Sequence, residues 1–567
     1  MESSGKLSYI FRKHFLFRVL ALLSFVAVVF LIIFLISHKS ESEPVIDALV
    51  PPVGAPGEII QINGKNFGDE RDMSYVSFSG LKLTSSSYLY WSDTQIKVIL
   101  PGNVQDGLVV VGTKTAQSNP ALFANEIDIP VLAPSVHNVV KPVISEVSVE
   151  KASIGDMIVI SGSNFGENRN NSRVLFTIDY NRKIKDSEFV NKRLVTENFV
   201  EVSEIENGYE YWSNTEIHVR VPDGACSGVV VVENERDKSE AFNFEVSDAA
   251  ISKEFVSKKI FIVQYSADVK DIDTNDVSTI TMRCPIPCKM PSQSEVDITE
   301  ISPVPLLQNY QGCNIQQITK YKNGVSKNTF TQTFVLPVYE IRTTVNPDKI
   351  GSMKNINQTF YEKTTKADSI VPSDNENVIK LYKKIVDKEK NSYKRAKLIY
   401  DYMCKEFKIL DKNRRNDADP LDLISREKGD AYDFAVIYAA LLRAAGIPCL
   451  VDCGVLVEQD LKSRVHWWCE FYIPGCGWIP VDPALGCGLD YEKWPEKIDE
   501  KEYYFGNLDS HHITFSRGFN EMKPFAPDNK TVQYPKSFAL QSIWEEASMS
   551  TNKYSSYWSV PFISGVY

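Results

Sequence analysis

Three rhythms of apolar and polar residues run along the chain. From Val19 to Ser37 it reads VLALLSFVAVVFLIIFLIS, nineteen residues without a charge, which as a helix is long enough to cross a hydrocarbon core of ~30 Å. Downstream, apolar and polar residues alternate in short runs: Ile60 and Ile62, Ile96 and Val98, Ile158 and Ile160, then Ile217, Val219 and Val221. That period of two predicts half-buried strands. Alternation returns over 255–350, in KKIFIVQYSADV and NTFTQTFVLPVYEIRTTV, and predicts a further β-rich module. From Glu376 to about Leu410 the spacing turns helical, through Val378, Leu381, Tyr382 and Ile385, then Ala396, Ile399, Tyr400, Met403 and Phe407. A short helix is also predicted in KSFALQSIWEEAS, ahead of an aromatic tail that would add an edge strand or pack on the β-rich module.

The charges flanking the apolar segment orient it. Lys6, Arg12, Lys13 and Arg18 precede it against Glu2 alone, and the following HKSESEPVID is mildly acidic. The positive-inside bias then places residues 1–18 in the cytoplasm, 19–37 across a membrane as an uncleaved signal anchor, and the bulk of the chain outside, in a periplasm or at a cell surface. The formal net charge is −11, and the first eighteen residues hold four cations and one acid, so the remainder sums to −14. An average field of that sign excludes nucleic acid as the expected partner. All ten cysteines follow the apolar segment, as suits an exported chain with disulfides, and their pairing does not follow from the sequence. No histidine accompanies Cys284, Cys288 and Cys313, so neither a metal nor another cofactor is expected.

The first half repeats itself. PVIDALVPPVGAPGEIIQINGKNFG from Pro44 matches PVISEVSVEKASIGDMIVISGSNFG from Pro142, and YWSDTQIKVILP matches YWSNTEIHVRVP after an insertion in the second copy between Asp179 and Tyr209. The shared order is a Pro-x-Ile opening, a Gly-x-Asn-Phe-Gly turn, a Trp-Ser-x-Thr-x-Ile strand and a Gly followed by valines. It resembles the IPT/TIG family, which implies two immunoglobulin-like sandwiches, 42–127 and 140–247. Neither copy holds catalytic or ligand spacing, so spacing and presentation are expected of them, with the insertion the place to look for binding.

The chemistry lies further on. REKGDAYDFAVIYAALLRAAGIP runs from a Gly429-Asp430 loop into an apolar-periodic helix closed by Gly446 and Pro448, with Asp430 placed to cap it. Ala431 falls in the first turn, where free N–H groups and the helix dipole would favour a thiolate. RVHWWCEFYIPGCGWIPVDPALG then reads as two strands joined at Pro474-Gly475, with His466 on the first and Asp482 ending the second, a base and the carboxylate that orients it. His466, Trp468 and Glu470 share one strand face; Trp467 and Cys469 share the other.

These motifs, Gly429-Asp430, Arg443 to Pro448, His466 with Trp468, and Gly477 to Pro483, together with YYFGNLDSHHITFSRG, resemble the transglutaminase-like superfamily of cysteine enzymes. The resemblance implies a papain-like α+β domain at 375–520 and a cleft lined by Asp430, Trp468 and Trp478. Its nucleophile falls on Ala431, whose methyl group forms no thioester, leaving His466 and Asp482 as a residual triad. Three explanations stay open: a non-catalytic protein keeping the cleft for a peptide, protein or glycan; a Cys-to-Ala form of a thiol acyltransferase or amidase; and a relocated thiol. Cys449 and Cys453 lie at the far end of the helix, Cys469 faces away from His466, and Cys476 and Cys487 flank the Asp482 strand. A purely structural or adhesive surface protein is a further alternative. The expected order is thus a transmembrane helix, two all-β sandwiches, a β-rich module at 255–350, the α+β domain and a tail at 521–567.

Overall fold

The computed structural model describes residues 23–24 and 43–567, apart from 102–103, 115, 126–140, 181–197, 205, 235–236, 248–249, 275–277, 321–327, 351–352, 354–355, 492–497 and 527. The apolar segment 19–37 thus lies, except for Leu23 and Ser24, outside the described residues, as does most of the insertion in the second repeat. Among the described residues no helix is long and apolar enough to cross a membrane. The chain divides into two compact units, 1–130 and 131–567.

The first unit holds one sandwich. Its strands Val45–Val50, Ile59–Lys65, Gln95–Ile99 and Tyr88–Trp91 form one sheet in that spatial order. Val53–Gly54, Ala121–Asn125, Gly107–Gly112, Tyr75–Phe78 and Leu81–Lys82 form the other. The alternating residues Ile60, Ile62, Ile96 and Val98 are fully buried between them. A side chain at Gly64 would come within 2.0 Å of the Val45 carbonyl, so only glycine allows the first two strands to close.

The second repeat, in the other unit, has the same strand order in both of its sheets, from Val143–Val147 to Phe199–Glu201. Matching details show that one pattern folds twice. Trp91 Nε1 donates to the carbonyls of Phe67 and Gly68, and Trp212 Nε1 to that of Gly166. The Tyr88 and Tyr209 hydroxyls accept from the Val76 and Val174 amides. This sandwich is fastened to the domains that follow it. Lys253 Nζ donates at 2.6 Å to both Asp223 Oδ1 and the Trp478 carbonyl, and Ile154 bridges Gly475.

The β-rich module is built on two long strands, β1 (Ile251–Thr274) and β2 (Asn328–Val345), paired antiparallel with one irregularity between Val256 and Lys259. The α+β domain follows, with α1 (Glu376–Val386), α2 (Ser392–Glu406) and α3 (Ala431–Ala444). Its sheet comprises β3 (Cys449–Val457), β4 (Ser463–Ile473), β5 (Gly477–Val481) and β6 (His512–Arg517) in the order β5-β4-β3-β6. Helix α3 packs on one sheet face through Trp467 and Cys469, whose thiol donates to the Ala435 carbonyl at 3.2 Å.

The tail completes the β-rich module. Strands β7 (Thr551–Trp558) and β8 (Phe562–Val566) both pair with β1, as the edge-strand expectation had it. The short helix expected over 536–548 is not formed. Glu545–Ala547 is instead a strand on Ser278–Pro285, with Trp544 and Ala547 buried in the module's core. Burial against a strand edge outweighs local helix propensity there.

Candidate functional site

Helix α3 starts where its sequence signals place the start. The Asp430 carboxylate accepts from the Asp433 amide at 3.0 Å while Asp433 accepts from the Asp430 amide at 2.9 Å, a reciprocal capping box. Arg414 and Lys536, which sequence reasoning missed, close this corner. The Arg414 amide (2.5 Å) and Lys536 Nζ (3.0 Å) donate to Asp430, and Arg414 Nε donates to Asp433 at 2.6 Å. Ala431 is the first helical residue and is buried. Tyr432 beside it sets its ring edge-on to Trp467, 5.4 Å away, so the helix start abuts the strand one residue from His466.

His466 and Asp482 meet on the opposite face of the sheet. Strand β4 leaves β5 beyond the Cys469↔Val481 pair, and from there His466 Nε2 lies 2.6 Å from Asp482 Oδ2. The second carboxylate oxygen, Oδ1, accepts the Ala484 and Leu485 amides at 2.9 Å, which fixes the group's orientation. A second imidazole shares Oδ2: His512 Nε2 stands 3.1 Å from it, and His512 Nδ1 stands 2.8 Å from Asp509 Oδ1. With a carboxylate on each ring nitrogen, both nitrogens of His512 donate. Burial alone would discharge it, yet Asp509 and Asp482 raise its pKa to about 9. Asp482 is held well below the usual carboxylate range, the two imidazoles outweighing burial. His466, with less carboxylate around it, is lowered by burial. Tyr504 extends the chain, donating to Asp509 Oδ2 at 2.7 Å, and its hydroxyl lies 2.9 Å from that of Tyr491.

The polar partners of His466 and Asp482 are therefore each other, His512 and the turn after Asp482; those of Asp430 are Arg414, Asp433 and Lys536. Trp468 and Trp478 do not line a common open groove. Trp468 stacks beside His466 with ring centroids 6.1 Å apart and packs with Ile178, Phe255, Ile341 and Leu508. Trp478 packs with Phe360, Leu450 and Tyr472, and its indole donates to Glu206 of the second sandwich at 2.8 Å. Arg517 ties the two regions, donating to Glu470 at 2.7 Å and Glu206 at 3.4 Å. Both tryptophans are at most 1 % exposed, because the second sandwich and the long strands cover this sheet face.

The cysteines offer no second nucleophile at this place. Cys404 and Cys487 form a disulfide across 83 residues, tying the end of α2 to the turn that carries Asp482. Cys449, Cys453, Cys469 and Cys476 are buried, and burial raises Cys453 and Cys469 well above the ordinary thiol range and Cys476 to about 12. Only the strand alternation in HHITFSRG hinted at His512, and nothing local marked Lys536 or Glu206.

A capped helix packed on an antiparallel sheet that holds a histidine and an aspartate on adjacent strands defines a transglutaminase-like α+β domain. Comparison with known families agrees: residues 379–483 match the family model of the Transglutaminase-like superfamily, and 44–124 match that of the IPT/TIG domain. The chain carries both. Among curated proteins it is 34% identical over 86 residues to a cyclomaltodextrin glucanotransferase of Paenibacillus macerans, covering 15% of this chain and 12% of that protein. It is 29% identical over 176 residues to an uncharacterized protein of Haemophilus influenzae, covering 25% and 45%. The chain thus spans less than half the length of these relatives. Among solved structures it resembles the periplasmic domain of TgpA from Pseudomonas aeruginosa at 13% identity and a TM-score of 0.24, over 40% of this chain and 86% of that one.

Proposed function

We propose that this protein is a non-catalytic member of the transglutaminase-like group, anchored by residues 19–37 with its bulk outside the cytoplasm, acting in recognition of a peptide, protein or glycan at the cell envelope. The observation that carries the reading is Ala431 at the first position of α3. The capping box and the dipole end of the helix are retained around it, the His466–Asp482 pair is retained on the neighbouring strands, and a methyl group accepts no acyl group. Burial of the other free thiols of the α+β domain, Cys449, Cys453, Cys469 and Cys476, supports it further.

The burial of His466, Asp482, Trp468 and Trp478 favours a second reading, in which the domain is a structural or adhesive module whose ligand contacts lie elsewhere on its surface. The test is ammonia release from glutamine-containing peptides by the full-length protein beside an Ala431→Cys variant. Activity in the variant alone supports a site lacking one sulfur, and an Ala431 acquired recently or by design. Inactivity in both supports the structural or recognition role. Activity in the unaltered protein overturns the proposal.

A further inference from the structure

We propose that His466, Asp482 and His512 form a binding site for one divalent transition-metal ion of the zinc class. One ligand atom from each of His466, Asp482 and His512 lies within 4.8 Å of the other two, with both Nε2 atoms against Asp482 Oδ2, and all three side chains are buried. Two imidazoles and one carboxylate are a donor set that zinc and its neighbours accept.

The spacing is close to what such an ion needs. With bonds of about 2.0–2.1 Å, a tetrahedral site sets its ligand atoms about 3.3 Å apart. The His512–Asp482 pair, at 3.1 Å, already meets that separation. The His466–Asp482 pair, at 2.6 Å, would open by about 0.7 Å to reach it. The two imidazole nitrogens would close by no more than about 1.5 Å, since they lie within 4.8 Å.

The surroundings fix each ligand from behind. Asp509 Oδ1 holds Nδ1 of His512 at 2.8 Å, which turns Nε2 inward, and a carboxylate behind a ligating histidine strengthens its donor nitrogen. The Ala484 and Leu485 amides occupy Oδ1 of Asp482 and leave Oδ2 facing the imidazoles. Tyr504 in turn holds Asp509. In the metal-free protein His512 carries protons on both ring nitrogens and neutral His466 carries one on Nε2; as the ion binds, His512 gives its Nε2 proton to solvent and His466 moves its proton to Nδ1, so one proton is released. Three protein ligands leave one position of a tetrahedral site to a further donor. This inference does not depend on whether the domain binds a peptide or glycan.

The test uses the full-length protein stripped with chelator and titrated with Zn²⁺ by calorimetry and with Co²⁺ by visible absorption. One equivalent of each is expected, with the intense visible bands of four-coordinate cobalt. Asp509→Asn should weaken binding roughly 10- to 100-fold by loosening His512. His512→Gln should abolish it, and His218→Gln on the second sandwich should leave it unchanged. A variant with an unaltered far-UV circular dichroism spectrum that binds as the parent does overturns the proposal when the change is His512→Gln. Should that variant fail to fold, the parent decides: Co²⁺ must shift the imidazole resonances of His466 and His512, and unshifted resonances, or no uptake by the parent, overturn it.

Discussion

Replacing Arg517 with methionine tests whether the second sandwich is part of the α+β domain's core. The guanidinium donates to Glu470 and Glu206 and lies 5.0 Å from the centre of the Trp478 ring; the three charged side chains are 9%, 4% and 14% exposed. Arg517→Met keeps most of the volume and removes the cation bonded to both carboxylates. Removing one partner of a buried ion pair costs about 3–5 kcal/mol, because the charge left behind has no compensation. For a unit spanning residues 131–567 the melting temperature should fall by about 3–5 °C. The sign with pH follows from the acids. Burial already raises Glu206 even with Arg517 present, and raises Asp452 on the adjacent strand well above the ordinary value. Without the guanidinium, folding must keep more of these groups protonated than the unfolded chain does, so stability falls as pH rises above the unfolded carboxylate range near ~4. Denaturant titrations at pH 5 and pH 8 should show the larger loss at pH 8. A loss under about 1 kcal/mol at both pH values would refute the argument and return the second sandwich to the status of a loosely attached spacer.

Three further outcomes are expected. Burial pushes the Cys288, Cys313 and Cys476 thiols to about 12, so their thiolate fraction at pH 8 is on the order of 10⁻⁴. Mass spectrometry after iodoacetamide treatment of the native protein at pH 8 should find these three unmodified, and modification within minutes would contradict so small a thiolate fraction. Cys404→Ala with Cys487→Ala opens a crosslink of 83 residues and should cost about 3–4 kcal/mol in denaturant unfolding. Asp430→Ala removes the cap of α3 and leaves Lys536, which is 2% exposed, with Asp433 at 3.9 Å; a loss of about 2–3 kcal/mol is expected, and a near-neutral effect would show that α3 does not need its capping box.

Much of this architecture was legible because local signals and tertiary context agree. The repeat reads directly as two sandwiches of one topology, since the Gly-x-Asn-Phe-Gly turn and the tryptophan that bonds to it recur together. Asp430, the apolar run behind it and Gly446 mark α3 at both ends. The face assignment of His466 and Trp468 against Trp467 and Cys469 followed from strand alternation alone. What stayed hidden depends on long-range pairing. Glu545 to Ala547 carry no strand signal until Ser278–Pro285 offers an edge. Glu206 and Arg517 are 311 residues apart. His512 was one of two adjacent histidines, and only the register of β6 on β3, which sets Leu456 beside His512, turns its ring toward Asp482. Nor does sequence alone show that the tryptophans expected to line a cleft are covered by the second sandwich.

The central claim, that Ala431 leaves the site without a nucleophile, is tested most directly by intact-mass spectrometry of the full-length protein quenched in acid after exposure to a glutamine-containing acyl donor. The unaltered chain should keep its mass, whether or not an Ala431→Cys variant treated alongside it gains an acyl group. An acyl adduct on the unaltered chain would contradict the account.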